Sequence, residues 1–334
     1  MASERCLVCG TPTPDGAVYH AACAKGLFGS EIAPSFAYSM LELNELAKQL
    51  VLSRVSVPGV QAKLSLHLER AENSVGRLTL VGLDGNYILK LPTAMYPELP
   101  ESEHFAMTLA RLCGIETAAF GLVRLESGAR AYITRRMDRE DGVKHMVDFC
   151  QLTDRRTSRK YYGSHEQIAR TIRRYASASG ADVVRFFEVV MFSFIIGNSD
   201  MHMKNFSLLR EHDGTWRLSP AYDLVPVKVV LPNDKDDLAL AVNGKNRNLR
   251  ASDFESAALT MGLTQVQYRR IVGRIASEVG KHIDVAIERS FLSEQFADRV
   301  RNLVASRLSM LNDGGDCPRR IDWTVSPICG NADR

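Results

Sequence analysis

No run of apolar residues in this 334-residue chain approaches the roughly 18 that suggest a membrane helix, and the opening MASERCLVC lacks the basic start and apolar stretch of a secretory signal. The sequence is therefore expected to work in the cytoplasm, with no membrane partner. Charge of one sign is scarce as well. Lys and Arg number 42 against 39 Asp and Glu, and a net charge of +3 argues against a histone-like or wholly electrostatic nucleic-acid binder, while leaving room for local basic patches. Cysteines are few and odd in number, seven in all, so a disulfide framework is not expected and metal binding or burial is the role left to them. Low-complexity stretches and evident repeats are missing too. What is present is an ordinary globular balance, 45% hydrophobic against 24% charged, at a length sufficient for two lobes.

The chain divides into a Cys/His segment with little core at 1–30, a β-rich region at 31–135, a helical region at 136–312 and a polar tail at 313–334. RLTLVG and YILKLP flank the turn signal LDGN and read as a hairpin, and ESEHFAMTLARLCG has helical periodicity with Gly114 as its stop. DVVRFFEVVMFSFIIG is apolar on nearly all sides, which predicts a buried helix. NFSLLR and TWRLS predict a second hairpin across EHDG. Ser252 to Glu255 and Thr264 to Gln267 are capping-box signals ahead of C-terminal helices.

The buried helix runs into FIIGNSDMHMKNFSLL, where Asp200, His202, Lys204 and Asn205 interrupt the apolar pattern. Asp200 and Asn205 have the five-residue separation of the protein-kinase loop H-R-D-L-x-x-x-N, in which the Asp receives the substrate hydroxyl's proton and the Asn reaches Mg²⁺. His202 and Lys204 are then expected as cations facing the transferred phosphate. A second metal carboxylate should follow a short hairpin, and LSPAYDLVP supplies Asp223 directly after TWRLS. Taken singly, GNSD is an ordinary turn and Asp223 an ordinary loop cap; their order across a hairpin favours chemistry. Upstream, YILKLP offers Lys90 for the ATP phosphates, and the following helix offers Glu103 to pair with it, with Glu101 competing. SRVSVPGVQAKLSL has a type II turn signal at Pro58-Gly59 and places Ser56, Gly59, Gln61 and Lys63 as candidate nucleotide contacts. It has one glycine, so the Gly-rich kinase loop is absent. The predicted fold class is α+β: a bilobal, protein-kinase-like fold with a small β-rich N-lobe at 31–135 and a larger helical C-lobe at 136–312.

SVPGVQAKLSL, YILKLP, YITRRMDR, DFCQL with KYYG, GNSDMHMKNFSLL and LSPAYDL occur in an order that resembles the HipA family of serine/threonine kinases, toxins of bacterial toxin–antitoxin systems, over roughly residues 50 to 310. The resemblance implies ATP and Mg²⁺ as cofactors, Asp200 as catalytic base, Asn205 and Asp223 as Mg²⁺ ligands, Lys90 as the phosphate lysine and Ser56 as an autophosphorylated serine. It also implies that Arg135 to Met137 form the hinge holding adenine, although the family commonly carries an aromatic residue where this chain has Met137. The phosphate loop begins near residue 56, far earlier than in the full-length family form, so the chain resembles the short, HipT-like branch. That branch implies a separate small protein in place of the N-terminal subdomain, a helix-turn-helix antitoxin, DNA reached only through that antitoxin, and an aminoacyl-tRNA synthetase as substrate. Two other functions stay open: a small-molecule kinase of the aminoglycoside type, which shares the Asp-to-Asn spacing, and a degenerate kinase-fold scaffold for transcriptional autoregulation.

CLVCG and YHAAC together make C-x2-C-x10-H-x2-C, so Cys6, Cys9, His20 and Cys23 form two close ligand pairs, the usual arrangement for a structural Zn²⁺. Simple packing of small buried cysteines is the competing reading. Cys113 and Cys150 are expected in the core. The basic run DRRTSRKYYGSHEQIARTIRRY reads as a solvated helix face or as a patch for an acidic partner.

Overall fold

The computed structural model describes residues 4–36, 38–43, 45, 61, 63–69, 75–81, 85–140 and 142–312. The candidate phosphate loop with Ser56 and Gly59, and the tail with Cys317 and Cys329, lie outside the described residues. Strands β1 (Lys63–Glu69), β2 (Arg77–Val81), β3 (Tyr87–Lys90), β4 (Phe120–Arg124) and β5 (Arg130–Arg135) form one antiparallel sheet in the order β2-β1-β3-β5-β4. RLTLV and YILK are therefore not hairpin partners, contrary to the expectation from LDGN. Strand β1 lies between them, with Leu66 opposite Leu80 on one side and Tyr87 on the other. KLSLHLE alternates as strongly as its neighbours, and the central position pairs its backbone groups on both edges, which a hairpin of the other two strands would not do.

Alternation along these strands sorts the side chains onto two faces. Leu64, Leu66, Tyr87, Leu89, Ala131 and Ile133 pack on one side with the N-terminal segment and its helix α1 (Ala21–Phe28). That segment was expected to have little core, yet Cys6, Leu7, Leu27 and Phe28 are essentially unexposed, and Leu122 N–H donates to the Leu7 carbonyl at 2.7 Å. Gly121 makes the approach possible. A Cβ there would sit 2.9 Å from Leu27 and 3.0 Å from Val8.

The opposite face, with Phe120, Leu122 and Tyr132, covers helix α2 (Leu99–Leu112), which ends before Gly114 at φ 77° as the sequence predicts. Phe105, Met107, Leu109 and Ala110 of α2 join the same apolar cluster as the C-lobe helices, so the main core runs through both lobes. Those helices are α3 (Phe149–Leu152), α4 (His165–Tyr175), α5 (Ser179–Ile196), α6 (Val227–Val230), α7 (Ala251–Thr260), α8 (Gln265–Arg289) and α9 (Glu294–Asn312). Helix α5 is the predicted buried helix. The second predicted hairpin is present as β7 (Ser207–Arg210) and β8 (Trp216–Leu218), with β6 (Met146–Asp148) added on the outer side of β7. Thr264 and Gln267 form the expected reciprocal cap, whereas α7 begins at Ala251 and is capped by Asp253, whose carboxylate accepts the Arg250 N–H at 3.1 Å. The Ser252–Glu255 pair thus plays no capping part; Asp253 also binds Asn243 and Lys245, which anchors the earlier start. Among the described residues no helix is long and apolar enough to cross a membrane.

Candidate active site

In the N-lobe sheet Lys63 stands opposite Lys90, and Lys90 opposite Tyr132, so both ammonium groups project from the face turned to the C-lobe. Lys90 is 4% exposed, and its Nζ donates to Glu103 Oε1 at 2.6 Å and to Asp223 Oδ1. Lys63 Nζ reaches Asp223 Oδ2 at 3.3 Å. Glu103, on α2, is thus the partner that the sequence left in competition with Glu101, which pairs instead with Arg130. Burial alone would raise the Asp223 carboxyl, but Lys63 and Lys90 together hold it well below the usual carboxylate range. Burial pushes Glu103 up to about 7, against the pull of Lys90. Asn205 closes the group, its Nδ2 donating to Asp223 Oδ2 at 2.6 Å. Asn205 turns its amide nitrogen to Asp223 while its Oδ1 accepts the His202 N–H at 3.2 Å, so the loop brings an amide and a carboxylate together, residue types whose oxygens suit Mg²⁺.

Helix α5 ends at Gly197, whose backbone is left-handed (φ 71°), and the chain turns directly into the loop with Asp200. Asp200 is exposed, and the Tyr161 hydroxyl donates to its Oδ1 at 2.6 Å. Burial and then Asp200 raise the Tyr161 phenol above its ordinary value, so it stays a proton donor. His202 departs from expectation. It is 7% exposed, packs edge-on against Tyr161, and burial lowers it to about 4, so it is neutral where a cation was predicted. Lys204 departs too: its Nζ donates to Asp148 Oδ2 at 2.5 Å rather than lying beside Asp200.

A cavity of about 570 Å³ contains Lys63, Glu103, Tyr161, Asp200, His202 and Asp223, and Gln61 lines it while donating to the Leu91 carbonyl at 2.7 Å. A second cavity of about 280 Å³ is lined by Ile88, Arg135, Met137, Gln151, Lys204 and Tyr222. Arg135 also pairs with Glu140 at 3.0 Å. The expected hinge residues thus open onto a recess between β3, β5 and the β6-β7 sheet, where Ile88, Met137, Met146 and Tyr222 stand among the charged Arg136, Asp138 and Asp148. Another cavity of similar size to the first, about 590 Å³, holds neither Asp200 nor Asp223, so size does not locate the chemistry; the convergence of charged groups does. Outside this cleft, Cys6, Cys9, His20 and Cys23 are brought together, while Cys113 and Cys150 are buried in the core.

The family model for the HipA-like C-terminal domain matches residues 55–283, which spans most of the chain and every cleft residue just described. The chain belongs to this HipA-like family. Among curated relatives, the candidate kinase Y4dM of Sinorhizobium fredii is 36% identical over 187 residues, 52% of this chain and 45% of that protein. A candidate kinase of Haemophilus influenzae is 27% identical over 288 residues, 77% and 82% of the two chains. The serine/threonine-protein kinase toxin HipA of Shewanella oneidensis is 28% identical over 235 residues, 63% and 52%. The chain spans about half the length of two of these three relatives, Y4dM and the Shewanella toxin. A solved complex of Shewanella oneidensis HipA with HipB and operator DNA contains a chain that aligns with 91% of this one and 75% of its own length, at TM-score 0.65 and 20% identity. The fold is accordingly α+β and kinase-like.

Three members of this HipA-like cleft lie in quoted motifs but receive no role from sequence. Tyr161 is 39 residues from Asp200, and no spacing rule links the two. Asp148 is both the N-cap of α3 and the anion for Lys204. Tyr222 donates to the Lys204 carbonyl at 3.0 Å, and its hydroxyl is 2.6 Å from Ser207 Oγ, tying the two functional loops together. The signal is present in the quoted stretches, with Tyr161 in KYYG, Asp148 in DFCQL and Tyr222 in LSPAYDL.

Proposed function

We propose that this HipA-like chain is an ATP- and Mg²⁺-dependent serine/threonine protein kinase, the toxin of a toxin–antitoxin pair. The observation that carries the reading is the convergence of Lys90, Glu103, Asn205 and Asp223 from four separate stretches of chain beside the exposed Asp200. In this reading Lys90 and Lys63 hold nucleotide phosphates, and Arg135 to Met137 border the base. Bound through Asn205 and Asp223, Mg²⁺ supplies positive charge to the phosphates. Asp200 takes the proton from the substrate's Ser or Thr hydroxyl as that oxygen bonds to the γ-phosphorus and the bond to the β-phosphate oxygen breaks. Tyr161 fixes one carboxylate oxygen of Asp200, leaving the other to receive that proton. His202 contributes shape and packing, without charge.

The finer parts of the reading rest on the sequence resemblance. They are an aminoacyl-tRNA synthetase as substrate, Ser56 as the site of autophosphorylation, a helix-turn-helix antitoxin with DNA reached only through it, and a separate small N-subdomain-like protein. The solved relative that binds HipB and operator DNA supports the antitoxin as partner. Incubating the full chain with labelled ATP, Mg²⁺ and a panel of purified synthetases tests the proposal, with fragment mapping for Ser56. Asp200→Asn should leave the melting temperature within about 2 °C, because the residue is exposed, and lower transfer by about 10²-fold or more. Near wild-type transfer by that variant would remove Asp200 as the base. Transfer to small hydroxylated compounds with no protein labelled would favour the small-molecule kinase instead.

A further inference from the structure

Phosphoryl transfer makes no use of Cys6, Cys9, His20 or Cys23. One ligand atom from each of the four nevertheless lies within 4.8 Å of the other three. A tetrahedral Zn²⁺ with sulfur at about 2.3 Å and nitrogen at about 2.1 Å sets S–S edges of about 3.8 Å and S–N edges of about 3.6 Å. The His20 Nδ1 distances, 3.4 Å to Cys9 Sγ and 3.9 Å to Cys23 Sγ, bracket the second value. His20 Nε2 lies 3.0 Å from the Pro12 carbonyl, which can only accept, so that nitrogen carries the proton and Nδ1 turns its lone pair to the sulfurs. A backbone carbonyl holding the far nitrogen is the usual support of a metal-bound histidine. No disulfide joins the three thiols, and simple packing would not require a histidine to aim its unprotonated nitrogen at two of them.

The loop that these residues would close touches both lobes. Its Leu7 carbonyl accepts from β4, and its Val8 carbonyl is 2.9 Å from His104 Nε2 on α2, one residue from Glu103. Arg5 donates to the Glu288 carbonyl at 2.7 Å, at the C-terminal end of α8. Gly10 is left-handed (φ 72°) and lies so close that a Cβ would meet the Arg289 carbonyl oxygen at 1.7 Å. We infer that Cys6, Cys9, His20 and Cys23 hold one structural Zn²⁺, and that the metal sets a loop clamping α2 and β4 to the end of α8. Four protein ligands leave no open position, so the ion shapes the chain and binds no substrate.

The site stands apart from the kinase reading, and its test uses no activity. Full-length protein purified without added zinc should contain one zinc per chain by elemental analysis, falling to near zero in Cys9→Ser and Cys23→Ser. Cobalt exchanged into the wild-type chain should give the thiolate-to-metal absorption and visible bands of a tetrahedral ion, a readout that stands if either variant fails to fold. Gly10→Ala keeps all four ligands, so it should retain zinc while hydrogen exchange at 285–289 rises several-fold. Metal-free wild-type protein whose melting ignores both zinc and chelator would overturn the site. Exchange at 285–289 unchanged by zinc removal would overturn the clamp.

Discussion

Two lysines directly opposed on neighbouring strands repel each other, and the Lys63–Lys90 pair is tolerated because Asp223 and Glu103 stand among them. Asp223 reaches both from a left-handed backbone position, φ 61°, which an aspartate adopts more readily than most residues. The grouping of Asp200, Asn205 and Asp223 is legible in the sequence because each follows an element that is itself legible, α5 or the β7-β8 hairpin, whereas the choice of Glu103 over Glu101 as partner of Lys90 is settled only by packing. The charge on His202 is not legible either, since it depends on how deeply Tyr161 and the loop bury the ring. The same physics makes His165 an acid-sensitive point. It is fully buried, its Nδ1 is 3.2 Å from the Ala241 carbonyl, and burial lowers it from 6.5 to about 4. Below pH 6.5 the unfolded chain takes a proton that the folded chain refuses, so stability present above that pH is lost as pH falls toward 4. Between pH 6.5 and 5 this one residue should cost on the order of 2 kcal/mol. His165→Asn keeps a donor for Ala241, and denaturant titrations at the two pH values should show its loss reduced by that amount.

At the level of elements, continuous or strictly periodic segments are readable and partnerships between them are not. Helix α5, α2 with its Gly114 stop, the β7-β8 hairpin and the Thr264 cap all follow from local pattern. The placement of β1 between β2 and β3 does not, because which alternating strand becomes central depends on edge satisfaction across the whole sheet. The start of α7 depends likewise on Lys245 and Asn243, which lie outside the helix. Gly197 links element to chemistry, since it ends α5 three residues before Asp200. An added Cβ there would face a left-handed backbone and stand 2.6 Å from Leu303 Cδ2 on α9. Gly197→Ala should therefore cost about 1–2 kcal/mol in chemical denaturation. Its loss of transfer rate at a temperature where the variant is folded should exceed what the unfolded fraction explains, because the Asp200 loop is displaced with the cap. A variant as stable and active as wild type would show that the turn adapts freely.

Across the whole molecule, α2 is the piece that the bilobal description places least well. By sequence order it belongs to the N-lobe, yet its apolar face is part of the core shared with α8 and the other C-lobe helices. Glu98 at its start accepts from both Ser293 N–H and Ser293 Oγ at 2.7 Å, and Arg274 of α8 donates to the Cys113 carbonyl at its end, at 3.1 Å. Withdrawing Glu103 from Lys90 by swinging this helix would open that core. Hydrogen exchange in α2 should then be as slow as in α5 to within about tenfold, and nucleotide with Mg²⁺ should change it little. Exchange in α2 near that of surface loops without nucleotide, and sharply slower with it, would show a helix assembled on demand. Under the proposed kinase function, a lysine–glutamate pair built into the main core ties the nucleotide-facing charge to the stability of the whole fold. Control of the proposed activity would then fall to parts outside these elements, such as the loop with Ser56 or a bound partner, rather than to a swing of α2.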